Sequence, residues 1–347
     1  MTAAELLERE AARRILLTDG AFGTEIQKRR LTEADYRGTL EFARDQKGNH
    51  DLLALTAPEV IMDITAAYLA AGADIVSTNT FSANRISQAD YGNEHLVKAI
   101  NIAAASLARG LADRFTSDDR PRFVAGAIGP TNKTLSLSPD VNDPGYREVD
   151  FDTLKSVYRE QVDALLEGDV DFILIETIFD TLNAKAAILA VREAGRAIGR
   201  DVPLMISMTL TDLSGRNLSG HTVEAFWNTV RHARPLTIGL NCSFGAAQLR
   251  PHVQTLAATA ESLIMVYPNA GLPNALGEYD ELPEETAAQL DAWAEAGLVN
   301  ILGGCCGSTP AHIAAIGKAI AGRAPRRRPT TAPATRLAGL GAMELAR

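Results

Sequence analysis

The chain has three cysteines, and all three stand at the ends of apolar runs. Cys242 closes LTIGLNCSFG, and Cys305 and Cys306 close NILGGCCGSTP. Adjacent cysteines do not readily bridge to each other, and an odd count is not a disulfide framework. Three thiolates are soft ligands that suit Zn2+, and three protein ligands leave one position open, the pattern of a catalytic rather than a structural site. Such a site carries net negative charge, so it is a feeble Lewis acid toward carbonyls and a poor generator of hydroxide. It suits another task, holding a thiol substrate as a thiolate near pH 7, where a free thiol is only a few per cent ionised. The reaction class this points to is alkyl transfer to sulfur. The plainer alternative is three inert buried cysteines. It does not explain why all three share one kind of position, flanked by Gly303, Gly304 and Gly307.

Other residues at the ends of apolar runs complete a pocket for an amino acid. Asp19 ends the first run, in LLTDGAFGTE, and the main-chain amides of Gly20, Ala21, Phe22 and Gly23 can turn toward an anion. Glu176 ends FILIETIFD; a carboxylate there can hold an ammonium group, and a buried Glu needs a partner. Thr78, Asn79 and Thr80 end another run, and Asn269 stands in MVYPNAG. Each has a plainer role open to it: Asp19 as a turn or cap residue, Thr78 to Thr80 as strand-end hydrogen bonders, Asn269 as a turn former before Gly271.

The elements that must position these residues form a repeat. Eight short runs rich in Ile, Val and Leu occupy residues 15–20, 73–79, 122–130, 171–177, 203–209, 236–243, 263–271 and 299–306. They show little polar alternation, as expected of strands buried on both faces in a parallel sheet. Candidate helices lie between them at 58–71, 93–111, 151–167, 181–198, 222–232, 283–296 and 309–321. Several begin near Pro or Thr and stop at Gly72, Gly168, Gly297 or Gly322. Eight β-then-α units predict a closed (β/α)8 TIM barrel, whose active site lies at the C-terminal ends of the strands. An open doubly wound sheet is the alternative, but no GxGxxG follows the first strand. Two segments stand outside the repeat: residues 31–56 read as an insertion after the first strand, and residues 323–347 as a flexible tail or linker. The barrel domain is thus expected over 1–322, with the run Arg326 to Arg328 as a solvated end.

Composition excludes several classes. The 347 residues are 46% hydrophobic and 22% charged, which is a globular chain with ample material for a core. A net charge of −9 argues against nucleic acid or an anionic membrane surface as a partner. No apolar stretch approaches membrane-spanning length, and the first residues lack the look of a leader, so a cytoplasmic protein is expected.

In order along the chain, DGAFGTE, GADIVSTNTFSAN, DFILIETIFDTLNAKAA, LTDLSGRNLSGHTVEAF, GLNCSFGA, YPNAGLPN and NILGGCCGSTP resemble the homocysteine-binding module of cobalamin-dependent methionine synthase. The betaine–homocysteine methyltransferases share the barrel and the Cys…CysCys pattern. The resemblance covers about nine tenths of the chain. It implies zinc on Cys242, Cys305 and Cys306, with L-homocysteine sulfur at the open position. It implies that Asp19 and Glu176 hold the substrate ammonium, and that amides near Ala21 and Phe22, with Thr78, take its carboxylate. Asn241, beside Cys242, joins the substrate contacts, and the Asn269 oxygen takes the zinc when substrate is absent.

One departure bears on the donor. The chain has no DxHxxG cobalamin-ligand motif and ends soon after TRLAGLGAMEL, which is similar to the linker toward a folate module. A natural split subunit or an excised piece is therefore expected, with methylcobalamin supplied by a transiently bound cobalamin- and folate-binding polypeptide. The alternatives are a stand-alone transferase using S-methylmethionine or betaine, and a zinc-storage or structural barrel.

Overall fold

A computed structural model describes residues 1–345. The apolar runs become eight strands: β1 (Leu16–Leu17), β2 (Ile75–Ser77), β3 (Phe123–Ile128), β4 (Phe172–Ile178), β5 (Leu204–Met208), β6 (Thr237–Gly245), β7 (Leu263–Asn269) and β8 (Ile301–Leu302). They pair in parallel in the order β1-β8-β7-β6-β5-β4-β3-β2. The seam between β1 and β2 closes through the parallel bridge Thr18–Ile75, where the Asp19 amide donates to Ile75 O at 3.1 Å. This is the (β/α)8 TIM barrel that the repeat predicts.

The alternation of side chains along each strand sorts them into two layers. Leu16, Ile75, Phe123, Phe172, Met205, Met265 and Ile301 pack together inside, and Leu7 and Ala11 of the N-terminal helix Ala3–Arg13 join them. Gly239 in β6 is needed here, because a Cβ on it would stand 1.5 Å from the Met265 carbonyl oxygen. The outer strand faces (Val76, Val124, Ile173, Ile206, Ile238, Ile264) pack against the surrounding helices.

Local chemistry sets the helix limits. Pro opens Pro58–Ala71, Pro283–Glu295 and Pro310–Ala319, where its missing N–H costs nothing. The carboxylates of Asp150 and Asp180 accept amide hydrogens at the starts of Phe151–Glu167 and Thr181–Ala197. The helix Ala246–Thr259 after β6 carries Pro251 inside, and that proline breaks the pattern by which a helix would be read from sequence. Among the described residues, no single helix is long and apolar enough to cross a membrane.

The reading of residues 323–347 as a tail outside the core is corrected for residues 323–345; the last two lie outside the described residues. Arg326 is buried, and its guanidinium donates to the carbonyls of Ala257, Ala260 and Ser262. A helix end and a strand start leave those oxygens without internal partners, so an arginine is drawn in rather than solvated. Beyond it, strands Thr335–Ala338 and Ala342–Leu345 form an antiparallel hairpin beside the helix Val223–Val230, and the Thr222 amide donates to Leu340 O.

The insertion is also structured. Residues 31–56 form the helix Glu33–Arg37, a turn His50–Leu52 and the helix Leu53–Thr56. Buried amide side chains tie it to the loop after β2: Asn49 and Gln88 exchange hydrogen bonds at 2.9 and 3.0 Å, and Asn93 donates to Gln46 at 2.6 Å.

Candidate metal centre and substrate pocket

Closing the barrel sets β6 and β8 on either side of β7, so Cys242 meets Cys305 and Cys306 across it. The three sulfurs lie within 4.8 Å of one another, and Cys242 Sγ and Cys306 Sγ are 3.8 Å apart. Sulfurs bonded at ~2.3 Å to one tetrahedral zinc are separated by ~3.8 Å, so the Cys242–Cys306 pair has that spacing and Cys305 lies close enough to complete the set. The cysteines are free and partly exposed. Three thiols this close cannot all ionise alone. Cys305 is held well above the usual thiol range by hydrogen bonding to the other two and by burial, while Cys306 is lowered by the hydrogen bonds it receives. A divalent cation removes that conflict by supplying the missing countercharge.

The backbone is bent to present these groups. β6 leaves its ladder with β7 after Asn241–Tyr267 and regains it at Gly245–Asn269. In the intervening bulge, Cys242 and Ser243 have φ of 63° and 62°. β4 bulges between Ile175 and Ile178, and Thr177 there has φ 57°, a marked outlier for a β-branched residue. Bulges re-aim side chains, and each left-handed residue costs about 1–3 kcal/mol, which the surrounding structure must sustain. After β8, Gly307 has φ 80° and lies against Tyr279, so glycine is required twice over; a Cβ would stand 2.3 Å from Tyr279 Cβ. The Gly307 amide donates to Thr24 Oγ1 and the Cys306 amide to Asn269 Oδ1, which fixes the cysteine loop.

The thiols line a cavity of about 1520 Å3 that Asp19, Phe22, Thr78, Glu176, Asn241 and Tyr267 also line. Glu176 receives the phenolic O–H of Tyr267 at 3.0 Å. Burial pushes its carboxyl up to about 7, and the nearby charge of Asp19 adds to the rise. Asp19 accepts the Ser77 amide at 2.6 Å and the Ser77 hydroxyl at 3.1 Å, yet burial still lifts it to about 6. Asp19 is buried and Glu176 partly buried, and among the described residues neither has a cation beside it, so in one cavity they form a site for a cationic group. Phe22 opens the short helix Phe22–Lys28, and the first amides of a helix have no partner within it.

Not every expected contact is available in the expected way. The Ala21 amide donates to Ser308 Oγ at 3.3 Å. Thr78 Oγ1 accepts the Ala127 amide and lies 2.6 Å from Thr80 Oγ1, whose own hydrogen goes to Ala127 O. The Thr78 hydrogen is thereby spent on Thr80, so this hydroxyl has none to offer a carboxylate. Asn241, expected against substrate, has partners inside the protein at all its hydrogen-bonding positions. Tyr267, Ser77, Thr177, Ser207 and Tyr279 also belong to the site and were not anticipated. Only Tyr267 left a trace in the sequence: it lies two residues before Asn269, on the same face of β7.

The sequence profile of the homocysteine S-methyltransferase family matches residues 16–320. The fold is similar to that of the homocysteine methyltransferase MmuM from Escherichia coli. Its metallated form superposes with a TM-score of 0.69 at 25% identity, over 90% of this chain and 98% of that one. Its oxidized form gives 0.68 at 24% identity, over 88% and 95%. A match that runs from the first strand through the last helix of the barrel makes this chain a member of the homocysteine S-methyltransferase family, and hence a methyltransferase.

Proposed function

We propose that this protein transfers a methyl group to the sulfur of L-homocysteine, giving L-methionine, with zinc on Cys242, Cys305 and Cys306. The observation that carries this reading is one cavity with three clustered thiols on one wall and the unpaired carboxylates of Glu176 and Asp19 on another. Zinc bound there keeps the substrate sulfur ionised and nucleophilic near neutral pH.

The chain's own residues orient the reaction. Glu176 and Asp19 hold the substrate ammonium, and that cation returns both carboxyls toward their ordinary ionised state. Free amides at the start of Phe22–Lys28 are left to receive the substrate carboxylate. Asn269, whose oxygen accepts from the Cys306 amide, orients the cysteine loop; as a displaceable metal ligand in the absence of substrate it would first have to give up that bond. With the amino acid clamped, the sulfur attacks the donor methyl in line: the S–CH3 bond forms as the bond from CH3 to the donor breaks, and the electron pair stays with the donor. No protein base is required, because the proton leaves when the thiol ionises on binding.

The donor read here is methylcobalamin carried on a separate, transiently bound polypeptide that also binds folate. A cavity of about 1520 Å3 is far larger than an amino acid and leaves room for a large donor. A second reading, a stand-alone transferase using S-methylmethionine or betaine, is favoured by the near-complete overlap with MmuM, a homocysteine methyltransferase of similar extent. The deciding assay supplies the purified zinc-loaded chain with homocysteine and, separately, methylcobalamin, S-methylmethionine, betaine, and a cobalamin- and folate-binding protein with methyltetrahydrofolate. Methionine formed only with cobalamin supports the first reading. Turnover with a small onium donor alone replaces it with the second, and no turnover with any donor overturns both.

A further inference from the structure

We propose that Asn241 is a positioning residue that ties the metal thiolate of Cys305 to the strand bulge carrying Glu176, so that the metal half and the amino-acid half of the site are set by one carboxamide. The proposal rests on the zinc and homocysteine reading above.

Asn241 is 1% exposed, and its carboxamide lies between β4, β5 and the segment after β8. Oδ1 accepts the Thr177 amide at 3.1 Å and the Ser207 hydroxyl at 2.7 Å. Nδ2 donates to Thr177 Oγ1 at 2.8 Å and points its second hydrogen at Cys305 Sγ, 3.9 Å away. The orientation of the amide follows from its surroundings: the Thr177 N–H is only a donor, so the atom facing it must be the oxygen. That places the nitrogen toward the sulfur. A carboxamide offers two acceptor positions and two hydrogens, and all four are taken.

The two ends of this bracket are the two halves of the site. Thr177 sits in the β4 bulge, at φ 57°, immediately after Glu176. Two of the four Asn241 bonds go to Thr177 and hold it in that costly conformation, which aims Glu176 into the cavity. The fourth bond meets Cys305, whose amide is anchored separately on Pro268 O at 2.7 Å. An N–H directed at a thiolate draws charge from the sulfur and fixes its lone pairs. Partners of this kind around metal ligands typically change metal affinity 10–100-fold when removed. Seating the ammonium on Glu176 therefore pulls on the same group that steadies Cys305.

The test uses the full chain and two substitutions. Asn241→Asp keeps the oxygen that serves Thr177 and Ser207 but sets a second oxygen against the thiolate. Ser207→Ala removes one bond that orients the amide and leaves a small, well-tolerated side chain. Zinc affinity is read by competition with a chelator, the Co2+-loaded protein by its sulfur-to-metal absorption, and L-methionine affinity by calorimetry. The expected result for Asn241→Asp is a 10–100-fold loss of zinc affinity, a shifted Co2+ absorption in folded protein, and weaker methionine binding. Ser207→Ala should move all three readings in the same direction by a smaller factor. A purely structural Asn241 would lower thermal stability yet leave the Co2+ absorption of the folded protein unchanged, and that outcome overturns the proposal. Should Asn241→Asp fail to fold, Ser207→Ala decides: zinc and methionine affinities within twofold of the parent overturn it. Failure of the parent chain to take up zinc refutes the metal reading itself, and this proposal falls with it.

Discussion

Tyr267 on β7 donates its phenolic hydrogen to Glu176 on β4 at 3.0 Å, across the barrel interior and through no neighbouring strand pair. The tyrosine is buried, and among the described residues it is the one side-chain donor to Glu176. That bond favours the ionised carboxylate, while burial and Asp19 oppose it. Tyr267→Phe should therefore push the Glu176 carboxyl further up and weaken L-methionine binding severalfold at pH 7, with zinc content unchanged. A variant that binds methionine as the parent does at pH 6 to 8 would show that the phenol plays no part.

Removing any one of the three thiols should empty the metal site. One zinc per chain is expected in the parent. Cys242→Ala, Cys305→Ala and Cys306→Ala should each lose most of it, because two thiolates no longer enclose a tetrahedral position. Elemental analysis after dialysis against a mild chelator gives the answer, and a Cys306→Ala protein with full zinc would sink the assignment.

Glu176→Gln should separate the amino-acid site from the metal. Losing the charge opposite a buried ammonium costs about 2–5 kcal/mol, so homocysteine and methionine affinity should fall at least 30-fold while zinc stays bound. Calorimetry with L-methionine is the cleaner reading, since methionine has no thiol to ionise. Unchanged affinity would mean that the ammonium is held elsewhere.

The raised carboxyls give the protein a definite response to pH. The free folded chain holds protons on Glu176 and Asp19 up to about 7 and about 6, where an unfolded chain has already released them. Stability from these groups is therefore complete below pH 4 and is lost as pH rises through 6 to 7. Ammonium binding has the opposite sign, because it needs the ionised carboxylates. Methionine affinity should climb from pH 5 to 8, and Glu176→Gln should erase the part of the rise near pH 7. A flat binding profile in the parent would contradict the assignment of both carboxylates.

Arg326 offers a stability test remote from the pocket. Arg326→Met should leave three main-chain carbonyls without their donor and destabilise the fold by about 3 kcal/mol. Urea unfolding measures this, and zinc affinity should not change. A loss below about 0.5 kcal/mol would return the arginine to the solvated end that composition suggests.

By itself the sequence determined the repeat, and with it the barrel. Each strand declares itself through a local apolar run and most barrel helices through their apolar pattern and a Pro, Thr or Gly at an end, although Pro251 hides the helix after β6, and a parallel eightfold repeat has few ways to close. It also placed Cys242, Glu176, Asp19 and Cys305 at strand ends, because position along a strand is a local property. What only the tertiary structure decided is which of those ends hold free chemistry. The nearness of Cys242 to Cys305 follows from the order of the repeats, but the strand bulge that carries Cys242 was set only by folding. The Thr78 hydroxyl is spent on Thr80 and Ala127, and the Asn241 amide on Thr177, Ser207 and Cys305. Hydrogen-bond saturation depends on the register between strands and on bulges that turn Cys242 and Thr177 into left-handed backbone. Arg326 reads as solvated for the same reason: its three acceptors come from segments more than sixty residues earlier, and only folding gathers them around it.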